Sequence, residues 1–516
     1  MKVAFVSGPY ESLGVEYISA ILKKHGHEVE LFLEPCIGRD DALYLNSGKN
    51  SSFFDFSSYI AAGIKKYQPD LVGFSTVSDY YQMNIKIAAK IKEHYDKPIV
   101  FGGIHPTAVP DVVIKNKAVD YVCVGEGEYA FLELVESLQK GNKPHEISNI
   151  WAKDKNSIIE NKIRPLISNL DELPFPDKEI YYKQASFFRH TYTCMTSRGC
   201  FFDCSYCFNS YYKQLYHGKG EYFRRRSVAN VLDELVTGCK GRSYTSVRFA
   251  DDIFNHDQDW FREFFNRYKK EVVLAFDCQL WLHHVKEETA RILKEAGCYL
   301  VEIGVQSYSS KIREQVLGRY YDNSDINNTI DVLKRAGIRV LCENIYGLPG
   351  QEFNDVKASL KFYAQKRVLA SFYGLRFFPK TRITAIAGDM GLLDEADMNK
   401  INHGLNPRLF TYGGDSCDLD FARVHFWLLL TYLFPIKMLL RFFDSVMKYR
   451  VSSSVIQLEK TAVVFKYRPF SITLRRITSR ICLYVKFLIL KINYDFGLRL
   501  SSYKSAKGKV KHVCTR

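Results

Sequence analysis

No stretch of the chain is apolar for about eighteen consecutive residues, the least that a membrane-spanning helix needs. Its two most apolar stretches stop short: Phe426 to Phe434 runs into Pro435 and Lys437, and Ile481 to Leu490 contains Lys486. The opening MKVAFVSGPY lacks the basic start, apolar core and small-residue cleavage site of a secretory leader. The 13 cysteines are not arranged as a short paired framework, which argues against a disulfide-stapled secreted fold. These absences together predict a cytoplasmic protein. No RNA-binding module is recognisable, which disfavours a nucleic-acid partner. Acidic residues are scarce at one end only: residues 421–516 hold 19 Lys and Arg against 3 Asp and Glu, a net +16. The other residues hold 53 basic and 54 acidic side chains and net −1, so the basic character belongs to the tail alone. Basic residues beside aromatic and leucine-rich faces read as an anchor, peripheral to the inner face of a membrane, or as a helical lid packed over a site.

What is present concentrates in Thr196 to Asn209, TSRGCFFDCSYCFN. Cys200, Cys204 and Cys207 stand at CxxxCxxC spacing, with Tyr206 just before the last. Thiolates at this density are soft ligands for zinc or for an iron–sulfur cluster. A structural zinc site closes with four ligands, and no fourth cysteine or histidine lies nearby. The alternatives are a zinc site completed from a distance, or three core thiols. Cys194, Cys239, Cys278, Cys298, Cys342 and Cys417 are scattered as buried thiols would be, so no second cluster is expected.

Before this loop, short apolar runs alternate with helical patterns. Lys2 to Ser7, Glu28 to Leu33, Asp70 to Ser75, Pro98 to Gly102 and Asp120 to Val124 read as strands, nearly continuous in apolar residues because both faces are to be covered. Val15 to His25, Ser57 to Tyr67, Gln82 to His94 and Glu126 to Gln139 read as helices. The alternation predicts an α/β, flavodoxin-like, doubly wound parallel sheet over 1–140. Ligands on such sheets bind at the carboxyl ends of the strands. Those ends offer Ser75, Thr76, Gly102, Gly103, Gly125, Glu126 and Gly127, with His105 close behind in GGIHP. The prolines of 141–185, Pro144, Pro165, Pro174 and Pro176, predict a linker. Residues 186–385 then give six further strand–helix units, and 386–516 a mostly helical, basic region.

The runs VEYISAILKKHGHEVELF, PDLVGFST, PIVFGGIHPT and VDYVCVGEGEYAFLELVESL resemble the cobalamin-binding domains fused to radical SAM enzymes. CxxxCxxC, then SVRFADDIF, LVEIGVQS and YGLPGQ in that order, resemble the radical SAM core of the same proteins, the class B methyltransferase type. The match spans most of residues 1–385. It implies a partial (β/α)6 barrel, a [4Fe–4S] cluster on Cys200, Cys204 and Cys207, and an open iron that holds S-adenosylmethionine (SAM). It places Tyr206, Asp251, Asp252, Glu302, Gln306, Gly347, Leu348 and Pro349 around SAM: the aspartates near its ammonium, Glu302 and Gln306 by the ribose, and the GLPG turn by the adenine. The aspartates read alternatively as helix N-caps. Glu302 and Gln306 are two pleat repeats apart and are expected on one face. The RRRS element, Arg224 to Ser227, precedes a helix for which Ser227 is the expected N-cap, and its arginines are expected near the domain interface or in a solvated turn. An arginine is common just after the Val273 to Leu280 strand, where this chain has Gln279, Leu280 and Trp281; Trp281, His283 and His284 either face substrate or are structural. Many cobalamin domains carry DxHxxG, whose histidine ligates cobalt; this chain has no such motif, and His105 reads as loop structure near the ligand.

The activity implied is methylation of an unactivated carbon, a 5′-deoxyadenosyl radical abstracting hydrogen and methylcobalamin delivering the methyl group. A reductant such as flavodoxin or ferredoxin is the expected partner. Relatives of this layout act on hopanoids, bacteriochlorophyll precursors, phosphonates and antibiotic scaffolds, and the basic tail favours a lipid-like substrate among small molecules. The alternatives are a cyclase or rearrangement enzyme without methyl transfer, and a non-catalytic cobalamin-binding protein. A tRNA methylthiotransferase is disfavoured, because its N-terminal domain needs three cluster cysteines and only Cys36 and Cys123 occur here.

Overall fold

A computed structural model of the 516-residue chain describes residues 1–35, 39–40, 45–46, 55–155, 157–242 and 244–405, and beyond them 423–424, 426–431, 436–441 and 443. Cys36, Cys417 and most of the basic stretch 421–516 lie outside the described residues.

The first sheet is built from β1 (Lys2–Ser7), β2 (Glu28–Leu33), β3 (Leu71–Ser75), β4 (Ile99–Gly102) and β5 (Tyr121–Cys123), all parallel in the order β2-β1-β3-β4-β5. Val3, Ala4, Phe5 and Val6 are at most 2% exposed, as befits a strand covered on both faces. Helices Leu13–Lys24 and Glu128–Gln139 pack on each other, and so do Ser57–Tyr67 and Tyr81–His94. Two antiparallel strands, β6 (Ile150–Asp154) and β7 (Ser157–Ile159), extend this sheet from within the segment expected to be a linker. The correction has a local cause. Proline is absent between Pro144 and Pro165, where IWAKD alternates and Ile150 and Ala152 are fully buried.

The second sheet holds β8 (Thr191–Cys194) and, after the two-residue pair β9 (Ser197–Arg198) and β10 (Arg224–Arg225), β11 (Ser246–Phe249), β12 (Ala275–Gln279), β13 (Cys298–Gln306), β14 (Arg339–Tyr346) and β15 (Leu369–Gly374). Six of these, β8-β11-β12-β13-β14-β15, are parallel neighbours in that order, the expected partial barrel. Val247, Phe276, Val301, Ile303 and Cys342 are buried on the helix-covered face. The alternate positions, Arg248, Asp277, Glu302 and Glu343, turn to the inner face. Ser227 caps helix Val228–Cys239 as expected, accepting from the Asn230 amide.

One buried apolar cluster runs through both sheets. The N-terminal unit also reaches both edges of the open barrel. Glu11 accepts from Thr193 Oγ1 on β8 at 2.6 Å, and Asp79 pairs with Arg376, just past β15, at 2.7 Å. Lys178 lies 2.9 Å from Glu11 and 2.7 Å from Glu16, 3% exposed, so segment 141–185 is bonded to the first domain. In the C-terminal region, Val424, Trp427, Leu428, Leu439 and Phe443 are buried, and helix Ile436–Arg441 packs on helix Phe353–Lys366. These tail residues pack on the barrel's helical layer. No helix among the described residues is long and apolar enough to cross a membrane.

Candidate active site

The cysteine loop leaves β9 through Gly199, whose φ of +86° and close approach to the Tyr222 carbonyl (2.3 Å from an added Cβ) require glycine. Ser205 ties the loop to the far side of the barrel, its amide donating to Leu317 O at 3.0 Å and its hydroxyl to Val316 O at 2.6 Å. Phe202 stacks on Trp281 at 3.6 Å, which gives Trp281 a structural place beneath the loop. Cys207 then opens helix Phe208–Leu215. Burial pushes the Cys200 thiol up to about 12 and the Cys207 thiol to about 11, so ligation must displace their protons. Among the described residues no three His, Cys, Asp or Glu side chains converge to hold a single metal ion. The three thiols lie within electrostatic reach of one another, as the ligands of one cluster must.

Around this loop the expected SAM residues separate. Asp251 is 1% exposed and accepts from Thr196 N (3.0 Å), Thr196 Oγ1 (2.7 Å) and Ser197 Oγ (2.5 Å), so its carboxylate anchors the approach to the cysteine loop. Asp252 is exposed and accepts from Asn209 Nδ2 at 3.0 Å. Neither is a helix cap, because Asp257 caps the next helix, Gln258–Glu271. Glu302 is held by Arg248 (3.1 Å) and by Gln279 (3.3 Å). Gln306 reaches the same face as Glu302 by a different route from simple alternation. A bulge shifts register after Gly304, Gln306 adopts φ +63°, and its Nε2 lies 2.7 Å from where a Cβ on Gly304 would sit. Leu348, in the Gly347–Gly350 turn, packs with Tyr206 in a second apolar cluster that also contains Leu317 and Ile383. Gly347, Leu348 and Pro349 are thereby brought to the cysteine loop.

Two groups escaped sequence reasoning. Arg319, 8% exposed, donates to Cys204 Sγ at 3.3 Å, Tyr206 Oη at 3.1 Å and Gly304 O at 2.7 Å, and lies 4.9 Å above Trp281. It is the arginine of LGRYYDNSDI, and its chemistry resides in a contact across 115 residues. Glu343 faces Gly304 across the β13–β14 pairing, and no hydrogen bond or ion pair reaches it among the described residues. Burial, and then the neighbouring Glu302, pushes its carboxyl up to about 7.

At the carboxyl ends of the first sheet lies a cavity of about 260 Å³. Ser75, Gly102, Gly103, Gly125, Glu126 and Gly127 line it, with Phe5, Phe74 and Phe131 as apolar walls. Thr76 and His105 do not. Thr76 is 1% exposed, with its hydroxyl accepting from Asn84 Nδ2 at 2.9 Å. His105 is fully buried in helix Ile104–Ala108, with Ser78 Oγ 2.9 Å from its Nδ1 and Tyr81 at 4.3 Å. Burial lowers its pKa to about 4, so it is a neutral structural histidine. Met195 and Arg198, from the second domain, complete the cavity wall. Arg198 bonds Glu126 at 3.1 Å and Glu128 at 2.6 Å, and Arg224 bonds Glu126 at 2.8 Å. Burial opposes the charge on Glu126, yet the two arginines hold its carboxyl below the ordinary range. The neighbouring arginines face elsewhere: Arg225 donates to Ile253 O and Phe254 O, and Arg226 pairs with Glu234.

The description of B12 binding domains matches residues 3–135, and that of the Radical SAM superfamily matches residues 195–363. This chain is a radical SAM enzyme with a B12-binding domain. It is 29% identical to an uncharacterized methyltransferase of Pyrococcus horikoshii, over 73% of this chain and 82% of that protein. It is 26% identical to the cytidylyl-2-hydroxyethylphosphonate methyltransferase of Streptomyces wedmorensis, over 72% of this chain and 76% of that one. Among solved structures it shares the fold of the radical SAM methyltransferase TsrM from Kitasatospora setae with cobalamin and a [4Fe–4S] cluster bound (TM-score 0.60, 19% identity, 75% of each chain). It also shares the fold of OxsB with aqua-cobalamin and SAM bound (TM-score 0.64, 16% identity, 97% of this chain and 81% of that one). Cobalamin, the cluster and SAM are the cofactors of this domain pair; the glycine-edged cavity, at about 260 Å³, has room for a flat part of the first rather than the whole of it, and the loop offers three thiols to the second.

Proposed function

We propose that this enzyme methylates an unactivated carbon of a polar small molecule. The observation that carries the reading is the shared wall: Met195 and Arg198, on the approach to Cys200, also line the cavity at the end of the first sheet. Two cofactor sites so joined can act on one substrate carbon between them. When bound, the cluster supplies the electron that cleaves SAM, and cobalamin supplies the methyl group.

In this reading Cys200, Cys204 and Cys207 hold the cluster. Arg319, buried against Cys204, offers its guanidinium to the SAM carboxylate, and Asp252, still exposed, faces the ammonium. Gln306 and the unpartnered Glu343 accept the ribose hydroxyls. Gly347, Leu348 and Pro349 border the adenine. Ser75, Gly102, Gly103, Gly125 and Gly127 let cobalamin approach the backbone, and Phe5, Phe74 and Phe131 form an apolar slot suited to a flat ring. His105 is buried against Ser78 and is not part of the cavity wall, so among the described residues no histidine lines the cavity to ligate cobalt. The polar inner face of the barrel, with Arg248, Asp277, Glu302 and Glu343, favours a polar substrate over the lipid-like one that the basic tail suggests. Membrane contact through residues 421–516 and a flavodoxin or ferredoxin reductant remain part of the proposal.

The test is anaerobic turnover with SAM carrying a labelled methyl group. Label in the product, with 5′-deoxyadenosine released, supports methylation; deoxyadenosine with an unlabelled product replaces it with a cyclisation or rearrangement. That second reading has support in a 21% identity to the anaerobic magnesium-protoporphyrin IX monomethyl ester cyclase of Rubrivivax gelatinosus over 70% of this chain.

A further inference from the structure

We propose that the ion cluster of Glu126, Arg198, Glu128 and Arg224 couples the two cofactor sites, so that cobalamin in the cavity steadies the cysteine loop that holds the iron–sulfur cluster. The inference rests on the assignment of both sites under Proposed function. Arg198 stands two residues before Cys200, yet its guanidinium is fastened to the other domain, 3.1 Å from Glu126 and 2.6 Å from Glu128, over the ring of Tyr17 at 5.2 Å. All four of these side chains also line the cavity. Arg224, paired with Arg198 across the two-residue strands, forks onto Glu126 at 2.8 and 3.0 Å and donates to Ile167 O at 2.8 Å.

Two buried arginines balance two buried carboxylates, so none can be displaced without exposing an uncompensated charge. A ligand that packs on Glu126, Glu128 and Tyr17 therefore restricts Arg198. The backbone pairing of Ser197 and Arg198 with Arg225 and Arg224 carries that restriction towards Cys200, and the turn between them is cramped, since a Cβ added at Gly199 would lie 2.3 Å from Tyr222 O. Arg198 is a positioning residue that acts through Cys200. Coupling of this kind is reciprocal.

The experiment follows iron release from anaerobically reconstituted enzyme to a ferrous chelator, with and without hydroxocobalamin. In the native enzyme cobalamin is expected to slow release about 5-fold, within the usual range of coupling between sites. In Arg198→Gln the ratio of the two rates falls to near one while the visible spectrum still reports bound cobalamin, and Arg198→Lys recovers part of the ratio. A purely structural role would speed both rates alike and leave the ratio unchanged, which would overturn the proposal, as would a native enzyme that shows no protection with both cofactors bound. Should Arg198→Gln hold no cluster, Glu128→Gln removes one contact of Arg198 and spares the Glu126–Arg224 fork; an intermediate ratio supports coupling and an unchanged one refutes it. A native enzyme that binds no cobalamin at all would bring down the functional reading together with this proposal, whereas normal binding without coupling brings down this proposal alone.

Discussion

The two parallel sheets of this chain solve the same packing problem with opposite inner surfaces. In the first, helices cover both faces, the central strands are nearly continuous in apolar residues, and the strand ends are mostly glycine and aromatic ring. In the second, helices cover one face, and the other carries Arg248, Asp277, Glu302 and Glu343. A sheet buried on both sides offers a ligand backbone and apolar walls from its strands, and its charges, Glu126 and Glu128, come from the loop and helix beyond the strand ends. A sheet curled around a chamber can keep charges, provided each finds a partner. Glu302 has Arg248 at 3.1 Å, and Asp277 accepts from Tyr299 Oη at 2.5 Å.

Four substitutions probe this contrast, from the largest expected effect to the smallest. Cys204→Ala removes a cluster ligand, so iron content and deoxyadenosine formation should fall to background while cobalamin still binds; loss of cobalamin as well would mean the two sites are not separable. Arg248→Leu leaves Glu302 and Asp277 without their cation and should cost about 3 kcal/mol in denaturant unfolding, with Arg248→Leu/Glu302→Leu recovering much of it. Gly103→Ala forces φ +100° on an L-residue with its Cβ 2.8 Å from Thr76 O. A cost of about 2 kcal/mol and weaker cobalamin binding are expected. Glu343→Gln acts through pH. The folded carboxyl, raised to about 7, keeps a proton that the unfolded chain releases at its ordinary lower pKa. That contribution is complete below the unfolded pKa and is lost as pH rises through about 7. The native apoprotein should therefore lose on the order of 1 kcal/mol more than Glu343→Gln between pH 5.5 and pH 8, read as unfolding midpoints.

Most of the scaffold was legible. β1 and β2 begin and end where their apolar runs do, and the six barrel strands fall in the expected order, because continuous and alternating patterns report which faces are buried. The strands at 150–159 were obscured by the prolines that flank them. The bulge at Gly304 and Gln306 was hidden because a pleat count assumes unbroken register. Among the site residues, the cysteine spacing announced itself, whereas Asp251, read from sequence as facing the SAM ammonium or capping a helix, accepts from Thr196 and Ser197, partners 55 and 54 residues away.

Local order therefore settled a great deal: three thiols within eight residues, glycines at strand ends, a GLPG turn, and the periodicities that build two parallel sheets. These are properties of neighbours in the chain, readable from spacing alone. The partners of the charged groups were decided by folding. Arg319 meets Cys204, Arg198 meets Glu126 and Glu128, and Arg248 meets Glu302 across long separations, and a buried charge takes its role from whichever group compensates it. Spacing carries no record of that choice, because it depends on which strands and loops come together in space.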